Sequence, residues 1–360
     1  MKRVTLLFLL TVSIGMTLSS CVKQQNIKKQ EGFRWSEQKV AEWYSVQPWL
    51  VGCDYIPASA INQIEMWQSS TFDAPQIEKE LGWAEGLGFN TMRVYLSSVV
   101  WTHEAAQFKA NMDSFLKIAE KHHIRPLFVF FDDCWNAESS FGVQPKPKAG
   151  IHNSGWVQDP SVSLRQDTAT LYPQMEAYVK DVLTTFKADQ RILMWDLYNE
   201  PGNREHGISS LPLLKKVFEW AHDVNPSQPI SSGVWNQMAP ITAFQLNHSD
   251  VITYHNYLSQ EKHQTFINDL KLLNRPLICT EYMARKNNST FETIMPMLQK
   301  ENVGAINWGF VSGKTNTIFA WGTPLPDLDE PEVWFHDILR QDGTPFDPKE
   351  IALIRSLTGK

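Results

Sequence analysis

The chain has 360 residues, 42% of them hydrophobic, which is enough for a sizeable core and long for one ordinary domain. Lys and Arg number 33 against 39 Asp and Glu, a net charge of −6, and no basic stripe tracks a phosphate backbone, so nucleic acid is not an expected partner. The 14 Trp and 19 Phe fit a core, but indole faces also stack on the apolar faces of sugar rings.

The first residues read as an address rather than as part of a fold. Lys2 and Arg3 form a positive start, residues 4–15 are an apolar run too short to span a bilayer as a mature helix, and Leu18, Ser19, Ser20 and Cys21 follow. That tetrapeptide resembles a bacterial lipobox. It implies a signal peptide over residues 1–20, lipidation at Cys21, and a protein anchored in the bacterial cell envelope, facing the periplasm or the cell surface. Residues 21–34 read as a solvated tether and 35–360 as the folded domain. The remaining Cys53, Cys134 and Cys279 are an odd trio and suggest buried free thiols rather than a disulfide framework. No pair has zinc-ligand spacing, and His103-Glu104 lacks a following His at the helical offset, so no metal is expected.

Strands then alternate with helical segments, the pattern of a parallel sheet covered by helices. Residues 48–55 give the first strand, and 77–88 a helix stopped by Gly88. The second strand spans 89–96 and carries Arg93; a helix over 108–123 leads into the third, 125–132. From 132 to 170 the chain is rich in Gly, Pro, Ser and Asn and includes His152, Asn153, Trp156 and Gln158. A loop that long is functional or disordered, and its Trp and His mark it as one wall of a ligand cleft. After a helix over 171–187 comes the fourth strand, 192–200, an apolar run that ends in Asp196, Tyr198, Asn199 and Glu200 before Pro201 halts it. A helix over 213–224 precedes the fifth and sixth strands, 228–235 and 250–257. A helix over 266–273 precedes the seventh, 275–282, which delivers Glu281 as the fourth delivers Glu200. A helix over 291–300, the eighth strand over 303–310, a Pro- and acid-rich loop over 311–331 and a helix over 348–357 complete the chain. Eight strands without a linker point to a single-domain α/β fold, the (β/α)8 TIM barrel.

In such a barrel chemistry gathers at the C-terminal ends of the strands, where both glutamates fall. Hydrolysis of a glycosidic bond with retained configuration uses two carboxyls about 5 Å apart, one a proton donor and the other a nucleophile. Glu200 is the expected acid/base and Glu281 the expected nucleophile. Arg93, within an apolar strand, needs an anionic partner: Glu281, or in a purely structural role Asp54 or Asp132. Asn199 offers its amide to a sugar 2-hydroxyl, or merely caps the strand. His255 and Tyr257 hold a catalytic Glu, with the Tyr hydroxyl on Glu281, or are satisfied core residues. Trp308 is either a sugar platform or barrel packing. His152 and Trp156 are further substrate-binding candidates, and Trp67, Trp135, Trp156 and Trp321 are each a further platform or a structural residue.

On these residues the chain resembles the glycoside hydrolase clan A barrels, most nearly glycoside hydrolase family 5, over about residues 49–310. Asn199-Glu200-Pro201 matches that family's acid/base motif after the fourth strand, and Glu281 its nucleophile after the seventh. Arg93 falls on its second-strand Arg, His255 and Tyr257 on its sixth-strand pair, and Trp308 on its eighth-strand Trp. The third strand departs from the pattern, ending in Asp132-Asp133 where the family usually has a His. The resemblance implies double displacement on a β-mannoside or β-glucan type of oligo- or polysaccharide, without a cofactor. A monomer is expected, touching a membrane only through its lipid anchor. The competing expectation is a non-catalytic glycan-binding lipoprotein on the same scaffold, which would keep the aromatic platforms but need neither glutamate.

Overall fold

The computed structural model describes residues 34–236 and 238–360. The expected signal peptide, the expected lipidation site at Cys21 and the expected tether as far as residue 33 lie outside the described residues. Arg34, expected in the tether, belongs instead to the compact unit, because its Nε donates to the Ser249 carbonyl oxygen at 2.6 Å.

Eight parallel strands form the barrel: β1 Val51–Asp54, β2 Thr91–Tyr95, β3 Arg125–Asp132, β4 Met194–Asn199, β5 Ile230–Ser231, β6 Ile252–His255, β7 Leu277–Glu281 and β8 Gly304–Asn307. They are hydrogen-bonded in the order β5-β4-β3-β2-β1-β8-β7-β6. Val234 closes the ring: its N–H donates to the Thr253 oxygen, and its own carbonyl accepts from His255 N, both at 2.9 Å. β5 is far shorter than the expected 228–235. Hydroxyls compete there with the backbone ladder: Ser231 Oγ donates to the Val251 oxygen at 2.9 Å and Ser232 Oγ to the Tyr198 oxygen at 2.8 Å.

Helices cover the outer face of the strands. Ser98–Lys121 begins well before the expected residue 108 because Ser97 caps it, its Oγ accepting from Val100 N. A non-helical Glu104 inside that helix breaks the apolar period that would have shown its first part. Ala239–His248 was not expected; it buries only Ile241 and Gln245 and so lacks a continuous apolar stripe. At the bottom of the barrel the helix Glu37–Ser45 inserts Val40 among Leu127, Met194, Ile278 and Ile306, sealing the end away from the strand C-termini.

The outward-facing strand residues pack on these helices in the main core. Trp67 lies there, against Phe108, Phe115 and Phe128, with its Nε1 donating to the Tyr95 oxygen at 2.6 Å. It is therefore a core residue and not a sugar platform; truncating so large a buried ring costs about 3–5 kcal/mol. Among the described residues no helix is long and apolar enough to cross a membrane, and Cys53, Cys134 and Cys279 are buried free thiols.

Candidate functional site

A cavity of about 500 Å³ opens over the C-terminal ends of the strands, with Glu200, Glu281, His255, Tyr257, Trp156 and Trp308 among its lining residues. Such a volume suits a small-molecule ligand. β4 and β7 are buried along their length and each delivers a carboxyl where it surfaces, Glu200 just past β4 and Glu281 at the end of β7, which is how the sequence brings two acids to one mouth.

Glu200 sits just past β4 with φ 44°, in the left-handed region that costs an ordinary residue of order 1–3 kcal/mol. Asp133 holds the turn that imposes this conformation. Its carboxylate accepts from Gly202 N at 2.7 Å, Ser210 Oγ at 2.5 Å and the Tyr198 hydroxyl at 2.7 Å, and pairs with Arg165. The Glu200 carboxyl receives Cys134 Sγ at 3.3 Å and Asn203 Nδ2 on Oε2, while His255 Nδ1 lies 2.8 Å from Oε1. Burial raises its pKa above the usual glutamate range, and the thiol and amide donors only partly offset this.

Glu281 meets different neighbours. Its Oε1 accepts from Arg93 Nη1 at 2.8 Å and the Tyr95 hydroxyl at 3.2 Å, and its Oε2 accepts from the Tyr257 hydroxyl at 2.7 Å. Burial and the Glu200 charge push its pKa up, while the Arg93 guanidinium and the Tyr257 hydroxyl pull it down. With a full positive charge on one carboxyl and none on the other, a proton entering the pair belongs on Glu200. The facing atoms of Glu200, His255 and Glu281 all lie within 4.8 Å of one another. Three such atoms could converge on a cation, but the guanidinium bonded to Glu281 would repel it.

Arg93 is fully buried and organises the floor. Besides Glu281 it pairs with Asp54 at 2.9 Å and Asp196 at 2.8 Å, and its Nη2 donates to Asn199 Oδ1 at 2.7 Å. The catalytic and one of the structural partners foreseen for it are thus both present, Asp132 is not among them, and Asp196 is an addition. Asn199 is engaged on both sides, its Nδ2 donating to Asp132 Oδ1 at 2.8 Å. Asp132 also accepts from Trp156 Nε1 at 2.7 Å, and burial raises its pKa to about 6. The third-strand Asp-Asp pair therefore has two separate tasks: Asp132 fixes Asn199 and Trp156, and Asp133 fixes the turn carrying Glu200.

Tyr257 lies on Glu281, and burial draws the His255 pKa down to about 4, leaving a neutral imidazole between the two carboxyls. Trp308 is partly exposed, its ring edge-on to Tyr95 at 6.0 Å and to Trp156 at 5.8 Å. His152 is buried behind Trp135, with ring centroids 5.1 Å apart and Nδ1 on the Phe319 oxygen at 2.8 Å. Trp135 and Trp321 also reach the cavity; of the five tryptophans named from the sequence as platforms, Trp67 alone does not line it. Tyr95, Cys134, Asn203 and Arg204 were not singled out. Tyr95 carried a usable signal, since strand alternation puts it on the same face as Arg93 two residues earlier. Cys134 carried none, because a thiol after an apolar strand reads as core.

Several solved structures share this fold. The exo-β-1,4-mannosidase from Opitutaceae bacterium strain TAV5 superposes with a TM-score of 0.62 at 17% identity over 86% of this chain; the chain spans 60% of that protein's length. The endo-1,4-β-mannanase from Rhizomucor miehei gives 0.56 at 13% identity, covering 88% of this chain and 96% of the other. A GH5_18 protein from Streptomyces cattleya in complex with GlcNAc gives 0.56 at 13% identity, covering 86% and 79%. At such identities the likeness is one of fold. No curated protein sequence matches the chain. Residues 135–316, half of the chain, match the family model described as glycosyl hydrolases family 2, TIM barrel domain. By that match the chain belongs to the glycosyl hydrolase family 2 TIM-barrel family, a family of glycosidases.

Proposed function

We propose that the protein is a retaining β-glycosidase acting on β-mannosides, with Glu281 as nucleophile and Glu200 as acid/base. The observation that carries this reading is the approach of the two carboxyls, whose facing oxygens lie within 4.8 Å. Retaining enzymes hold their carboxyls about 5–5.5 Å apart, whereas inverting ones leave about 6.5–9.5 Å for a water. A Glu281 oxygen attacks the anomeric carbon, the bond to the leaving oxygen breaks, and Glu200 gives that oxygen its proton. Water then attacks the same carbon, losing a proton to the Glu200 carboxylate and freeing Glu281. Arg93, Tyr95 and Tyr257 hold the Glu281 charge before and after its bond to the sugar exists, and Trp308 offers a face to the ring.

Mannose is favoured by two of the fold relatives, a β-mannosidase and a β-mannanase. The family 5 pattern at Arg93, Asn199, His255, Tyr257 and Trp308 supports a clan A site of the same kind. The Leu18-Ser19-Ser20-Cys21 run supports delivery of this activity to the cell envelope on a lipid anchor. Hydrolysis of 4-nitrophenyl β-mannoside followed by proton NMR tests the mechanism. The β anomer of mannose is expected to appear first; an α anomer in the first turnovers would rule out double displacement.

A further inference from the structure

In the proposed mechanism Glu200 gives its proton to the oxygen of the departing group, so the side chains next to Glu200 on the cavity surface meet that group. Arg204 is one of them. Asn203 Nδ2 donates to Glu200 Oε2, and Asn203 Oδ1 accepts from Arg204 N, so a single side chain links the acid to the Arg204 backbone. Arg204 lines the cavity, and among the described residues that do so it is the only Lys or Arg.

Its guanidinium is unused within the protein. Among the described residues no carboxylate or carbonyl oxygen accepts from it, whereas every other described arginine donates at least one side-chain hydrogen bond. What Arg204 touches is an indole: its Cζ lies 5.5 Å from the centroid of the Trp135 ring. Trp135 belongs to the loop after β3, lines the same cavity, and packs against the buried His152 ring, with centroids 5.1 Å apart.

Both residues have left-handed backbone, Trp135 at φ 69° and Arg204 at φ 55°. For a side chain as bulky as indole that conformation is an outlier, and it persists only where the surroundings impose it, a setting that recurs at ligand clamps. Two loops thus each hold one residue in an unfavourable conformation so that an indole and a guanidinium meet beside the acid. A guanidinium resting on a π face keeps its N–H edges free, and their fork matches the two oxygens of a carboxylate or phosphate. The carboxyls of Asp132, Glu200 and Glu281 on the cavity surface work against an anionic ligand, and Arg204 is the lining cation that offsets them.

Resting on the glycosidase reading, we propose that Arg204, steadied by Trp135, forms a leaving-group subsite for an acidic sugar. The anionic group of the departing sugar, a uronic carboxylate or a sugar phosphate, pairs with the Arg204 guanidinium while Glu200 protonates the oxygen of the broken bond. The substrate class is then a β-glycoside whose leaving sugar is acidic, as in an anionic heteroglycan, rather than a neutral homopolymer.

The test uses three disaccharides in which the sugar of whichever 4-nitrophenyl β-glycoside the enzyme hydrolyses is β-1,4-linked to glucose, to glucuronic acid or to glucose 6-phosphate. At low salt kcat/KM is expected to be at least about fivefold higher for one or both acidic disaccharides than for the neutral one, mainly through KM, and the larger preference names the anion. That ratio is expected to fall to near one in Arg204→Gln, to persist in part in Arg204→Lys, and to shrink in about 0.5 M NaCl. Equal kcat/KM on all three disaccharides, or a preference for an acidic one that survives in Arg204→Gln, would overturn the subsite while leaving the glycosidase reading standing. Failure to hydrolyse any aryl glycoside would remove both.

Discussion

Glu200 and Glu281 share one cavity and differ in what their neighbours give them. Glu281 has a guanidinium and two phenol hydroxyls, all of which favour a negative charge. Glu200 has a thiol, a carboxamide and an imidazole that burial keeps neutral, and these tolerate a proton. Burial raises both carboxyls, so depth in the pocket does not separate their roles; the charge of the donors does.

The sharpest way to break this contrast is to remove each carboxyl in turn. Glu281→Ala should lower turnover on every substrate by on the order of 10⁴-fold or more, because no bond to the sugar can form. Activity retained on a reactive aryl glycoside would place the nucleophile elsewhere. Glu200→Ala should cost roughly 10²–10⁴-fold on oligosaccharides, whose leaving oxygen needs a proton, and far less on a 2,4-dinitrophenyl glycoside, which needs none. Azide should restore turnover of the dinitrophenyl substrate and yield a β-glycosyl azide; equal losses on both substrates would erase the distinction between the two residues.

The smallest effect concerns pH. In the proposed mechanism Glu200 acts as an acid only while protonated, so its raised pKa would carry activity upward in pH, with activity falling as pH rises through that value. The alkaline limb of kcat/KM for an oligosaccharide should therefore lie above the ordinary glutamate range and be absent from Glu200→Gln assayed on the dinitrophenyl substrate. An unchanged limb in that variant would assign it to another group.

The same contrast shows what a sequence makes legible. Glu200 and Glu281 stood out because each ends an apolar strand, and strand ends are where a barrel opens. The eight strands were visible for the same reason, down to Arg125–Asp132, which matches residue for residue. The neighbours that separate the two acids were partly hidden. Arg93 was conspicuous as a charge in an apolar run, but Tyr95 and Cys134 have side chains a core would also accept. Trp67 shows the converse error, since an indole gives no sign of whether it faces a helix or a ligand. The helix Ala239–His248 was missed for want of an apolar stripe. The loops after β1, β3 and β8 are hydrogen-bonded to one another, and this had no local signal, because it depends on groups far apart in the chain, such as Asn62 Nδ2 on the Gly155 oxygen and Asn153 N on the Thr315 oxygen.

The left-handed backbone at Glu200 means that its carboxyl is aimed by a turn it does not itself make. Were the contacts of Asp133 loosened, the peptide would relax toward an ordinary conformation and swing that side chain away from Glu281, so damage at a residue outside the cavity lining would be felt as a fault in chemistry rather than in folding.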